Sequence, residues 1–287
     1  MEITRIGDHV LGWGESVVWD ERRQRLYMVD CAARTLHWLE GGDGPLHTRA
    51  LPSMPAGVVP AGDGRLVVAL DDGLALVDPD ADPARVEPLA AYPEGLGARA
   101  NDACADPEGN LITGTLNMGP AEGSTWWYSA TAGWRLIDPA IANTNGPTAG
   151  VIDGAMTLIV GDSSADYFAY PYEPATGAVG ERRVFGATGD MAGVPDGATL
   201  DAEGGLWCAL WGGASVVRFT AAGLDRTVTV PVANPTDVTF GGPGLDRLYL
   251  VSAAAGAPEG DGRVDGAVLV VDGLGVQGRP EPRFRLA

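Results

Sequence analysis

The chain has 287 residues and a net charge of −19, enough to bury a substantial core and acidic enough to be repelled by a duplex phosphate backbone or an anionic membrane surface. All 19 basic residues are arginine and they are scattered; lysine is absent, which removes Schiff-base chemistry and lysine general bases. His9, His37 and His47 are the only histidines, so a Ser-His-Asp or Cys-His arrangement would have to draw its imidazole from the first sixth of the chain.

In chain order the predicted elements are all strands. The opening M-E-I-T-R-I-G-D-H lacks the basic-then-apolar pattern of a signal peptide, and no 18-residue apolar stretch follows, so a cytoplasmic protein is expected. Six related segments come next: E-S-V-V-W-D-E-R-R-Q-R-L-Y-M-V-D from Glu15, G-V-V-P-A-G-D-G-R-L-V-V-A-L from Gly57 and N-D-A-C-A-D-P-E-G-N-L-I-T-G-T from Asn101, then N-G-P-T-A-G-V-I-D-G-A-M-T-L-I-V from Asn145, D-G-A-T-L-D-A-E-G-G-L-W-C-A-L from Asp196 and T-D-V-T-F-G-G-P-G-L-D-R-L-Y-L from Thr236. Each reads as strand, Asp/Gly turn, strand, with starts roughly 40 to 50 residues apart, the spacing of four-stranded propeller blades. The predicted fold is all-β, a six-bladed β-propeller with four-stranded blades around a central channel, one domain over residues 1–287. E-I-T-R-I-G is expected to close the ring on the last blade, built partly from A-V-L-V-V-D, so that no long edge stays open.

The first strand of each blade lines the channel, so equivalent positions in the repeats become neighbours. In this register they are Glu15, Gly57, Asn101, Asn145, Asp196 and Thr236, with Asp102 adjacent. Carboxylates brought together in a partly desolvated channel repel each other unless one is protonated or a cation lies between them. Oxygen donors without His or Cys point to one hard divalent ion, Ca²⁺, Mg²⁺ or Mn²⁺ before Zn²⁺, with iron also admissible. Asp106 and Asp201, five residues after the first position, read as turn formers, and Asn145-Gly146 in isolation would read so too. Glu15 does not, because Glu is depleted in turns and strands alike. Cys31, Cys104 and Cys208, far apart in apolar contexts such as L-W-C-A-L, read as small buried hydrophobes.

The same segments, in the same order, resemble the regucalcin, senescence marker protein and gluconolactonase family of six-bladed propellers, and G-R-P-E-P-R-F resembles its usual tail. The resemblance spans nearly the whole chain. It implies hydrolysis of a sugar (aldono-) lactone with one divalent ion, with Glu15, Asn145 and Asp196 as metal ligands, Asp196 also as general base, and Asn101 and Arg99 as substrate-binding residues. The implied partner is a small sugar lactone, and the protein a monomer or small homo-oligomer. Alternatives are a non-catalytic Ca²⁺-binding propeller, or a hydrolase of another ester or an organophosphate. The chain departs from the family where some relatives carry an acidic substrate contact: Gly119 stands there, and Asn117 and Glu122 are alternative candidates between which the sequence does not choose. Trp13 and the pair Trp126-Trp127 are also unusual, and could either stack on a sugar or pack between blades.

Overall fold

Short apolar runs punctuated by Gly, Asp and Pro fold, in the computed structural model, into 25 strands and no helix among the described residues, which are 1–93, 99–116, 123–258 and 263–287. Asn117, Gly119 and Glu122 lie outside them. No helix among the described residues is long and apolar enough to cross a membrane.

The strands form six antiparallel sheets, the blades of a six-bladed β-propeller. Blade I comprises Gly14–Asp20, Arg25–Asp30, Thr35–Glu40 and Leu46–Ala50. The innermost strands of blades II to VI are Pro55–Pro60, Arg99–Ala105, Thr144–Ile152, Val194–Leu200 and Pro235–Gly241. In blade IV the outermost place is shared by Ala178–Val179 and Arg183–Gly186, both paired with Tyr167–Glu173. Closure follows the expectation: Glu2–Ile6 pairs with Val268–Asp272, Ile3 facing Val271 and Ile6 facing Val268, so the first residues complete the last blade.

The core lies between blades rather than within them, because each sheet is apolar on both faces. Tyr27, Val29 and Leu36 of blade I pack on Val58, Leu66 and Val68 of blade II, and Trp207 of blade V meets Phe240 of blade VI edge-on. Cys31 and Cys208 are fully buried, and burial pushes the thiols of Cys31, Cys104 and Cys208 up, as expected for inert packing residues. Trp127 is also a packing residue, buried between blades with its Nε1 donating to Asp106.

The turn aspartates act as the sequence suggests. Asp106 accepts the backbone N–H groups of Glu108 and Asn110, and Asp201 those of Glu203 and Gly205. Both carboxylates also reach neighbouring strands, Asp106 through Tyr172 and Asp201 through Arg218 and Trp207.

Each innermost strand carries a register shift near its start, for example between Glu15 and Val18 and between Asn101 and Ala103. Ser16, Asp102 and Gly146 take positive φ there, at 50°, 44° and 50°. A bulge lets two successive residues both face the channel instead of alternating. It therefore splits the channel into two layers.

The tail forms a strap across the end of the channel where the inner strands finish. Gln277 accepts from Ala202 N–H of blade V, and Gly278 donates to Leu245 O of blade VI. Arg283 binds Asp20 of blade I, Phe284 bonds Pro60 and Gly62 of blade II, and Arg285 donates to Gly109 O of blade III. Phe284 is fully buried and stacked on Tyr128.

Candidate active site

At the end where the inner strands begin, a cavity of about 230 Å³ opens among Trp13, Glu15, Asn101, Leu116, Asn143, Asn145, Ser163, Val194, Asp196 and Trp211. Glu15, Asn101, Asn145 and Asp196 come from four different blades, each from the residue at or just before its bulge. Apolar rings and aliphatic groups wall the cavity, and carboxylates and amides floor it.

The rest of the expected ring needs correction. Asp102 does not join Glu15; the bulge turns it into a narrower lower cavity with Ser16, Thr148, Asp237 and Glu281. There Asp102 accepts Gly146 N–H at 2.7 Å, Asp237 accepts Val17 N–H at 2.7 Å, and Ser16 Oγ accepts Val58 N–H at 2.8 Å, so this layer stitches adjacent blades together. The first position of blade II is Ala56, not Gly57: the bulge falls between Pro55 and Gly57, and a Cβ on Gly57 would meet Ala103 N at 2.8 Å. Thr236 is fully buried and donates to Gly14 O at 2.6 Å, a tie between blades VI and I.

Around the upper cavity each functional group is held from behind. Trp13 Nε1 donates to Glu15 Oε1 at 3.0 Å. Asn101 Nδ2 donates to Asn145 Oδ1 at 2.7 Å and to Thr144 O at 2.9 Å. Tyr167 grips the Asp196 backbone on both sides, donating to its carbonyl at 2.6 Å and accepting its N–H at 3.1 Å. Arg99 stands one contact back from the cavity lining: one guanidinium nitrogen lies 3.2 Å from Asn101 Oδ1, another meets Met54 Sδ, and its carbon sits 5.2 Å from the centre of the Trp13 ring.

Two groups that the sequence reading missed hold the loops leading into the site. Asp30 accepts the N–H groups of Gly12, Trp13 and Ala33, and Asp162 those of Ala142, Asn143 and Ser164. Both end a second strand, in M-V-D and V-G-D, at matching places of blades I and IV. That repeat-to-repeat match was the available signal.

Burial pushes the pKa of Glu15, Asp102, Asp196 and Asp237 up, and their mutual repulsion adds to it at Glu15, Asp196 and Asp237. Asn145 Oδ1 also faces Asp196 Oδ1 at 3.2 Å, acceptor against acceptor, and turning the amide over would let its nitrogen donate instead. A cation shared by the two oxygens would favour the oxygen-inward orientation. Among the described residues no group of three or more His, Cys, Asp or Glu could hold a metal ion. The donors available here are two carboxylates and a carboxamide, an oxygen-only set suited to a hard divalent ion.

This fold and cavity have counterparts among known proteins. The SMP-30/Gluconolactonase/LRE-like region matches residues 13–254, most of the chain. The chain belongs to this family. Among SMP-30/gluconolactonase relatives, pentonolactonase XacC of Haloferax volcanii is 31% identical over 99% of this chain and 98% of its own. L-arabinolactonase of Azospirillum brasilense is 32% identical, covering 85% of this chain and 81% of its own. The crystal structure of a calcium-binding protein, regucalcin from Agrobacterium tumefaciens, superimposes with a TM-score of 0.88 at 26% identity, over 98% of this chain and 97% of that one.

Proposed function

We propose that this protein hydrolyses a sugar (aldono-) lactone to the aldonic acid with the help of one divalent ion. The observation that carries the reading is the convergence of Glu15, Asn145 and Asp196, from three blades, on one cavity that Asn101 also lines. Relatives named as pentonolactonase and L-arabinolactonase support the substrate class, and the calcium-binding name of a structural neighbour supports the cation.

Glu15, Asn145 and Asp196 would hold the ion, which when bound supplies Lewis acidity toward the lactone carbonyl. Asp196 takes a proton from water as the water oxygen bonds to the carbonyl carbon. Burial suits it to this task, because a carboxylate whose pKa is raised is a stronger base than an exposed one. The bond from that carbon to the ring oxygen then breaks, and the ring oxygen leaves as the sugar hydroxyl by taking the proton that Asp196 had accepted. Asn101 spends its amide N–H groups on Asn145 and Thr144, fixing the Asn145 oxygen toward the ion. Arg99 donates to Asn101 Oδ1 from behind the cavity lining, so it acts on a substrate through the orientation of Asn101. Ser163 also lines the cavity, where its Oγ accepts from the Asn145 amide.

The test is a panel of glucono-, xylono-, arabino- and galactono-lactones presented to protein stripped with chelator, followed by return of Ca²⁺, Mg²⁺, Mn²⁺, Zn²⁺ or Fe²⁺. The reading requires at least one lactone to be opened well above its spontaneous rate, and only after a cation is restored. Cation binding without turnover of any lactone would favour the binding propeller instead.

A further inference from the structure

Trp13 touches both halves of the cavity at once. Its indole N–H lies 3.0 Å from Glu15 Oε1, its ring carries the Arg99 guanidinium at 5.2 Å, and the Trp211 ring is tilted against it with centroids 6.0 Å apart. Its own backbone is pinned by Asp30. The indole nitrogens of Trp38, Trp126, Trp127, Trp134 and Trp207 donate instead to groups outside this cavity.

Resting on the lactonase reading above, we infer that Trp13 is a positioning residue that couples cation affinity to lactone recognition. An N–H bond to one oxygen of a buried carboxylate fixes its rotamer and leaves the other oxygen to face the cavity. The ring face acts separately: stacking on the guanidinium holds Arg99 against Asn101, and contact with Trp211 fixes the aromatic wall. Glycine at position 14 makes the arrangement feasible, since a Cβ there would collide with Leu11 and with Ser252 O at 2.8 Å. Residues 13 and 15 flank this glycine, two apart in extended chain and so on the same face.

Two substitutions separate the two roles. Trp13→Phe keeps a stacking ring and removes the N–H; it should weaken cation binding, measured by calorimetry, by about 10- to 100-fold while the KM at saturating cation stays within about twofold. Trp13→Leu removes both; cation affinity should fall by a similar factor, and KM at saturating cation should rise by about 10-fold as Arg99 and Trp211 lose their support. Trp38→Phe is the control, because Trp38 Nε1 makes the same two-residue bond to Glu40 at 3.2 Å on the outer part of blade I. It should leave cation affinity unchanged.

Wild-type cation affinity in Trp13→Phe overturns the positioning of Glu15. An equal KM in the Phe and Leu variants overturns the role of the ring, and a loss of cation affinity in Trp38→Phe equal to that in Trp13→Phe overturns the inference as a whole. Calorimetry reads the cation arm without turnover, so failure of the lactonase reading, seen as a wild type that opens no lactone, is distinguishable from failure at Trp13.

Discussion

Replacing Glu15 with Gln should make the cation-free protein more stable, and a bound cation should remove most of that advantage. Burial, reinforced by the charge of Asp102, pushes the Glu15 pKa up to about 8 from an ordinary value near 4.5. The sign follows from proton uptake: a carboxylate with a raised folded pKa binds a proton on folding between those limits, so it stabilises least at high pH, and stability is lost as pH rises through that window. At pH 7 the penalty is about 3 kcal/mol, from 1.36 kcal/mol per pH unit over the interval between 4.5 and 7. Gln carries no such penalty, so cation-free Glu15→Gln should melt about 5–10 °C above cation-free wild type at pH 7. A saturating cation at about 100 times its dissociation constant adds about 2.7 kcal/mol to the wild type and much less to the variant, so the gap in melting temperature should nearly close. Differential scanning calorimetry of both proteins, with chelator and with cation, reads all four states. Equal melting temperatures without cation, together with equal gains on adding it, would refute the reasoning.

Other regions of the molecule carry predictions of their own. Phe284→Ala should cost about 3–5 kcal/mol in urea unfolding, because the side chain is fully buried against Tyr128 at the strap; a loss under about 1 kcal/mol would mean the strap is not part of the core. His37 sits between Thr35 and Thr48 hydroxyls and its pKa is lowered to about 4 by burial, so it should cost the protein up to about 3 kcal/mol as pH falls from about 6.5 to about 4, and His37→Asn should lose that acid limb in paired denaturation curves. Asp30→Ala frees the N–H groups of Gly12, Trp13 and Ala33, and should lower stability by about 1–3 kcal/mol and weaken cation binding, measured by calorimetry.

Much of the architecture was legible because the repeats advertise themselves: a polar or small residue opens an inner strand, and five residues later an Asp closes it in Asp20, Asp106 and Asp201. Ring closure was legible from an N-terminal alternating run facing an apolar last strand. Glu15, Asn145 and Asp196 could be placed in one ring since their side chains stand out from their surroundings. Ala56 and Gly57 carry no such mark, and the register slipped by one there. Asp102 was misplaced for a different reason. A bulge with positive φ at Ser16 and Asp102, where no glycine announces it, sends neighbours to two layers of the channel and not to the single ring expected. Asp30, Asp162, Tyr167 and Trp211 act across loops or blades, so their roles exist only once the ring has closed.

The most direct test of the central claim compares lactone hydrolysis by wild type and Asp196→Asn at saturating cation, on a lactone that the wild type opens. Asn can still offer an oxygen to a cation but cannot take a proton from water. The account predicts a variant that folds, unfolds cooperatively and loses at least about 100-fold in kcat. A rate within about threefold of wild type, with the cation bound, would contradict it.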